Sequence, residues 1–233
     1  MKTKILALTG ATGTLGQAVG AYFVDCGWTV RGCSLHGSRE ADIQAVDVLD
    51  ERSVVDWFRE CAPAVDAVVT CAGVSLVKPT LSMSLEEWFD VVAVNLDGTF
   101  LAVREAVRHG ATRVVTVGSI HGCTPTSYPQ RAPYTASKAG VAGLTRALAV
   151  EWAADGVAVN CVAPGHLPAL MDGTGAGQVL LDAAARRTPS GKLTTAGDVA
   201  QVVWWLCNDA PLNLTGQVIT IDGGFTIDTF PMR

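Results

Sequence analysis

Short runs of β-branched and apolar residues alternate along the whole chain with longer stretches whose apolar positions recur at helical spacing. Ile5–Thr9, Thr29–Ser34, Gln44–Val48, Ala67–Thr70, Arg113–Val117, Val157–Val162 and Val218–Ile221 predict strands, about seven in all. Between them Leu15, Val19, Tyr22, Phe23 and Cys26 repeat with a helical period, as do Val54, Val55, Phe58 and Cys61. Leu85 to Arg108 and Pro133 to Asp155 predict longer helices, and a further helix starts near Asp50. Nearly continuous apolar strands separated by helices predict an α/β fold: a doubly wound parallel sheet with helices on both faces. Such sheets bind ligands beyond the carboxyl ends of their strands, so chemistry is expected just after the strand runs.

Composition narrows the picture. A chain of 233 residues, 49% apolar and 17% charged, closes one substantial core, and one domain over 1–233 is expected. Charged or turn residues break every apolar run before the roughly 20 residues of a membrane span, and Ile5–Leu8 is too short for a signal-peptide core of about 7–15 residues. A cytoplasmic protein that does not cross a membrane is expected. The net charge of −5 offers no basic stripe, which argues against nucleic acid and for a small-molecule partner. Seven scattered cysteines without a Cys-x-x-Cys pair read as reduced thiols. The helix bearing Val141, Leu144, Leu148 and Trp152 also carries Ala142, Gly143, Ala147 and Ala149, leaving little polar surface. Either burial within the monomer or a homo-oligomer, a dimer or tetramer, covers it. Residues 166–191, rich in Gly and Pro, read as a substrate lid.

Directly after the first strand stands Gly10-Ala11-Thr12-Gly13-Thr14-Leu15-Gly16. Its glycines permit a tight turn and close backbone approach, and the following helix offers free N–H groups to a pyrophosphate. The alternative, a tight strand-to-helix turn with no ligand, needs the same residues. The second strand ends without the carboxylate that holds the ribose hydroxyls of NAD. Ser34, His36 and Arg39 instead accommodate a 2′-phosphate, so NADP(H) is preferred over NAD(H), with Arg39 as a solvated loop charge the plainer alternative. Asp47, with Val48, is a candidate for the adenine edge, or else a turn or cap carboxylate.

Tyr134 and Lys138 lie four apart on one helix face, so both reach one ligand. A nearby ammonium favours the phenolate, which suits Tyr134 to general acid/base work, although such a pair taken alone is more often a packing tyrosine beside a surface lysine. Ser119 ends the strand Val114–Val117 and its hydroxyl is delivered to the sheet's carboxyl edge. Asn95, among Val91, Val92, Val94 and Leu96, is a buried amide that must find partners, a water among the candidates.

Taken together, Thr9–Gly16, Cys71-Ala72-Gly73, Asn95 in Val-Asn-Leu-Asp-Gly, Ser119, Tyr134 with Lys138, Pro164-Gly165, and Thr215-Gly216-Gln217 leading to Asp222-Gly223-Gly224 resemble the short-chain dehydrogenase/reductase family over essentially the whole length. The resemblance is to the compact branch that includes 3-oxoacyl-carrier-protein reductases. It implies a single NAD(P)-binding Rossmann domain in which Ser119 holds the substrate oxygen, Tyr134 transfers the proton, Lys138 binds the nicotinamide ribose and Asn95 anchors a relay water. Cys71, Ala72, Gly73, Pro164 and Gly165 are implied cofactor contacts. Four departures stand out. Thr14 replaces the middle glycine, with Gly13 one place early, as in the extended sugar-nucleotide branch, the structural runner-up. Thr70-Cys71 replaces paired asparagines and their loop hydrogen bonds. The Ser119-to-Tyr134 interval, with Pro125 and Pro129, is slightly long. Ala169 replaces a threonine, leaving backbone near Leu167 to meet the carboxamide.

The substrate wall is expected from His121, Cys123, Tyr128, His166, Leu167, Leu170 and Met171, with His121 and His166 either binding a polar group or facing water. The four histidines form no ligand constellation, and no metal is expected. An NADP(H)-dependent reductase acting on a carbonyl or secondary alcohol is the leading expectation. A catalytically idle, cofactor-sensing scaffold is the competing one, marked by failure to bind either dinucleotide.

Overall fold

The computed structural model describes residues 3–61, 64–124, 130–168 and 175–228, with side chains omitted at 175–178. The strands are β1 (Ile5–Thr9), β2 (Thr29–Ser34), β3 (Ile43–Ala45), β4 (Ala67–Thr70), β5 (Arg113–Val117), β6 (Ala158–Pro164) and β7 (Val218–Ile221). They form one seven-stranded sheet in the order β3-β2-β1-β4-β5-β6-β7, every pairing parallel. β1, β4 and β6 are buried along their whole length, as expected of strands covered on both faces.

Two helical layers supply that cover. On one face α1 (Thr14–Asp25) and α8 (Ala196–Asn208) bury Leu15, Val19, Phe23, Val199, Val203 and Leu206 against Leu6, Leu8, Val69 and Val115. On the other, α2 (Glu51–Glu60), α4 (Gly98–Arg108) and α6 (Ala132–Trp152) bury Val54, Trp57, Phe58, Val103 and Leu148 against Ala7, Val68, Val114 and Val159. The alternation of side chains along each strand sends odd and even positions to opposite layers, so Leu6 and Ala7 belong to different cores.

Three expected boundaries shift. The third strand is Ile43–Ala45 rather than Gln44–Val48, because its partner β2 ends at Ser34, where Gly37 N–H donates to Ser34 O in a turn, and Asp47 turns the chain. The sixth runs to Pro164, whose missing N–H costs nothing at a strand end. The run from Leu85 to Arg108 divides into α3 (Leu85–Val92), opened by a Ser84/Glu87 capping box, a π-turn over Ala93–Asp97, and α4. π-turns inside helices frequently mark functional sites, and this one contains Asn95. The helix with little polar surface, α6, is buried at Val141, Ala142 and Leu148 yet leaves Val150 82% exposed, so burial in the monomer covers only part of it. Among the described residues no helix is long and apolar enough to cross a membrane.

Candidate active site

The sheet order places the reversal of connection direction between β1 and β4: the chain leaves β1 for α1 on one face and leaves β4 for α3 and α4 on the other. A crevice opens at such a reversal. Here it is a cleft of about 360 Å³, lined from the loop after β1 by Gly13, Thr14, Leu15 and Gly16, and from that after β4 by Cys71, Gly73, Val74 and Ser75. Val117, Gly118, Ser119 and His121 line it after β5, Pro164, Gly165, His166 and Leu167 after β6, and Arg131, Tyr134 and Lys138 from α6 and its entry.

The β1 loop is built by glycines where nothing larger fits. Gly10 has φ +65°, and a Cβ there would stand 2.5 Å from Ala72 N; a Cβ on Gly16 would stand 2.2 Å from Gly10 O. The turn is closed by Gly13 N–H donating to Gly10 O at 3.0 Å. Gly13 is the N-cap of α1 and supplies no side-chain cap, and no acid stands in the first turn. The first N–H groups of the helix therefore point into the cleft without an anion of the protein's own. Thr14, in place of a glycine, is accommodated as the first helical residue. Cys71 in place of an asparagine also leaves the neighbouring loop bonded: Cys71 N–H donates to Thr9 O (3.2 Å) and Ala72 N–H to Thr9 Oγ1 (3.3 Å). Burial pushes the Cys71 thiol up to about 12 against the opposing Lys138 ammonium.

Ser119 is buried at the end of β5 and caps α5 (Ile120–Cys123), its Oγ accepting from His121 N–H at 3.3 Å. Lys138 is only 5% exposed; its Nζ donates to Val117 O at 2.8 Å and lies 5.8 Å from the Tyr134 ring centroid. One of its three donors is thus spent on β5, leaving two for groups in the cleft. Asn95 lies behind the wall instead of on it. Its Nδ2 donates to Val74 O (3.0 Å) and Ser137 Oγ (2.9 Å), and its Oδ1 accepts from Val74 N–H (2.8 Å). Both amide hydrogens go to protein groups, so a water held at Asn95 would meet an oxygen of the residue and not these hydrogens.

His166 is not a loop histidine facing water. It is 8% exposed, packs edge-on against Phe225 (4.6 Å between centroids) and His121 (5.7 Å), and burial, reinforced by the positive charges of His121, Arg131 and Arg187, holds its imidazole down at about 4. Phe225 is brought there by the terminal motif. Asp222 accepts from Gly224 N–H (2.9 Å) and Thr226 N–H (2.8 Å), folding the chain back beside Gly165, whose N–H donates to Ile221 O.

Several expected residues do not line the cleft. Gly10 and Thr12 support its β1 loop, and Ala72 lies behind Gly73. Ser34 is buried at the end of β2 with no partner for its Oγ among the described residues, while His36 and Arg39 are exposed beyond it. Asp47 accepts from Leu49 N–H at 2.9 Å as a turn carboxylate, and Val48 is buried against Gly98. Cys123 is half-buried at the end of α5, off the cleft lining. Tyr128, Ala169, Leu170, Met171, Pro125 and Pro129 lie outside the described residues. Unanticipated are Val74 and Ser75, which follow the Cys71–Gly73 loop, and Arg131, whose place three residues before Tyr134 was the available signal.

A family model described as enoyl-(acyl carrier protein) reductase matches residues 16–226. The chain is 32% identical to 3beta-hydroxysteroid dehydrogenase 1 of Eggerthella lenta, over 97% of this chain and 95% of that one. It is 30% identical to the 3-oxoacyl-acyl-carrier-protein reductase FabG of Aquifex aeolicus, over 96% and 98%. The crystal structure of gox2181 superposes with a TM-score of 0.86 at 29% identity, covering 97% of each chain. With a Rossmann-type sheet, a glycine-built helix N-terminus and a matching model over most of its length, the chain belongs to the short-chain dehydrogenase/reductase family of NAD(P)-dependent oxidoreductases.

Proposed function

We propose that the protein interconverts a carbonyl and a secondary alcohol with NADP(H), using Tyr134 as the general acid/base, Ser119 as the hydrogen-bond donor to the reacting oxygen and Lys138 as the ribose-binding ammonium. The observation that carries this reading is the convergence of Ser119, Tyr134 and Lys138 on the same cleft as the uncapped N-terminus of α1. A dinucleotide fits these residues: the first-turn N–H groups and Gly16 admit a pyrophosphate, and Gly73, Pro164, Gly165 and Leu167 border the path to Tyr134. The bound nicotinamide supplies or accepts the hydride. Ser119 Oγ polarises the substrate oxygen, Tyr134 gives or takes its proton, and the Lys138 charge favours the phenolate. In this reading Asn95 anchors the relay water, and its hydrogen bonds also fix Val74 at the cleft rim and Ser137 on α6.

NADP(H) is favoured by the end of β2, where Ser34 Oγ is a buried hydroxyl without a partner among the described residues and residues 30–36 carry no carboxylate, while Arg39 is exposed beyond it. Asp47 and Val48 border the adenine side in this reading, with 166–191 closing over the substrate in a single domain. The protein is further read as a cytoplasmic homo-oligomer. The two relatives are named for a steroid and for an acyl-carrier thioester, so neither name fixes the substrate here. The test is fluorescence titration with NADPH and NADH of the wild type and Ser34→Asp, beside carbonyl reduction by Tyr134→Phe. Tighter NADPH binding that reverses in Ser34→Asp, with turnover lost in Tyr134→Phe, is expected. Binding of neither dinucleotide returns the idle-scaffold reading.

A further inference from the structure

Two thiols off the cleft lining meet beside Gly118. A Cβ on Gly118 would stand 2.7 Å from Cys161 Sγ and 3.6 Å from Cys123 Sγ, so the missing side chain leaves both sulfurs one shared space. The two thiols are hydrogen-bonded to each other. Neither has a part in the reaction just proposed, although Gly118 and Ser119 themselves line the cleft.

The pair is asymmetric. Cys161 is 0% exposed within β6, aligned with Thr116 of β5 and Val218 of β7, and its N–H donates to Gln217 O at 2.8 Å. Cys123 is half-buried and ends α5, the single turn that Ser119 caps. The bond from Cys161, a backbone hydrogen bond with Ser119 and the charges of Arg146 and Lys138 favour the Cys123 thiolate against its burial, while that same bond and burial keep Cys161 protonated. One sulfur is thus a nucleophile and its neighbour a thiol, the arrangement that reduces a hydroperoxide in two balanced steps. Cys123 Sγ attacks an oxygen of ROOH, the O–O bond breaks, ROH leaves with a proton from solvent, and the sulfur becomes a sulfenic acid. Cys161 Sγ then attacks that sulfur, the S–OH bond breaks, the Cys161 proton leaves with the hydroxide as water, and the S–S bond forms. Two electrons pass from the thiols to the peroxide.

We propose that Cys123 and Cys161 form an oxidation site for hydroperoxides, and that closing their disulfide shifts α5 and withdraws Ser119 from Tyr134. A disulfide sets its sulfurs about 2.05 Å apart, more than about 1 Å closer than a thiol–thiol hydrogen bond does. β6 is held by a strand on each side, so the movement falls on α5, whose first residue follows Ser119. Formation of the bond is independent of the oxidoreductase reading, and its effect on turnover rests on that reading.

The test treats the reduced protein with hydrogen peroxide and with cumene hydroperoxide at about pH 7. Disulfides are mapped by non-reducing peptide mass spectrometry, and amide hydrogen exchange is followed over residues 119–123. A Cys123–Cys161 disulfide that dithiothreitol reverses is expected, with exchange over that segment changed at least about threefold and carbonyl reduction lowered at least about tenfold. In Cys123→Ser no such bond forms, and peroxide moves neither exchange nor turnover. Cys161→Ala stops at a sulfenic acid on Cys123 that dimedone traps; if that buried variant does not fold, Cys123→Ser decides alone. No disulfide, or one mapped to other cysteines, overturns the proposal, as does peroxide sensitivity that survives in Cys123→Ser. A Cys123–Cys161 bond that leaves exchange over 119–123 unchanged, or leaves an active protein's turnover unchanged, also overturns it. The bond with altered exchange, in a protein that reduces no carbonyl in either state, supports this proposal and removes the oxidoreductase reading alone.

Discussion

Adding one methyl group at Gly122 should disable the site without replacing any residue that lines it. Gly122 lies on α5, three residues after Ser119, where that turn rests on α6 at the level of Lys138. A Cβ at 122 would stand 2.4 Å from both Ala139 N and Lys138 C, and 2.7 Å from Lys138 Cβ. Ordinary carbon contacts are about 3.5–4.0 Å, so α5 must retreat from α6 by roughly 1 Å or the helix must bend. Overpacking against backbone costs about 1–3 kcal/mol of stability. The larger effect is catalytic: displacing Ser119 by about 1 Å from Tyr134 and Lys138 costs on the order of 10²-fold in turnover. Gly143→Ala is the matched control, since it lies on the exposed side of α6 with nothing within 4 Å of the added Cβ. There the exchange should stabilise by up to about 1 kcal/mol through helix propensity and leave turnover unchanged. Urea denaturation and steady-state carbonyl reduction read both variants. Retention of full turnover and stability in Gly122→Ala would refute the claim that α5 is held against α6 by this contact.

Asn95→Ala removes a 0% exposed amide with three hydrogen bonds and strands Val74 N–H and O; a loss of about 2–4 kcal/mol by urea denaturation is expected, and a change under 1 kcal/mol would count against the amide as the pin of the Gly73–Ser75 loop. His166 falls from an ordinary value of 6.5 to about 4 chiefly by burial, so the unfolded chain binds the extra proton between those values. Stability present above pH 6.5 should therefore fall by about 1–3 kcal/mol as the pH drops to 4, and His166→Gln should flatten that limb of a stability-against-pH curve. Cys123 is lowered to about 7, first by its hydrogen bond with the buried Cys161 thiol, whereas burial raises Cys33, Cys61, Cys71 and Cys207. Among these five, Cys123 should alkylate first with iodoacetamide at pH 7, and Cys161→Ala should slow it several-fold; an unchanged rate in that variant would remove Cys161 as the cause.

The parts of this structure that the chain announces are those whose cause is local or periodic. Ile5–Thr9, Thr29–Ser34, Ala67–Thr70, Arg113–Val117 and Val218–Ile221 are strands with those same limits because each apolar run is stopped at both ends by turn or polar residues. The limits of the third strand are not legible because what ends it is non-local: its partner β2 stops at Ser34, and no feature within Gln44–Val48 reveals that. The candidate site divides along the same line. Ser119, Tyr134 and Lys138 were legible because strand end and helix spacing aim side chains predictably. Asn95 was legible as buried, but its partners, Val74 and Ser137, lie 21 and 42 residues away and only the tertiary fold shows that they consume its hydrogens. Phe225 reaches His166 through the Asp222 turn and Arg187 from the end of α7 (Gly175–Arg187), and neither place shows in a pattern of its own. Arg131 carries the sharper lesson. A single arginine before a helix reads as solvated in a sequence, and only the fold shows that this one is half-buried and lines the cleft. The cleft residues contributed by loops are fixed by non-local packing, while Ser119, Tyr134 and Lys138 are fixed by strand and helix geometry, which is why the second set is readable from the chain and the first is not.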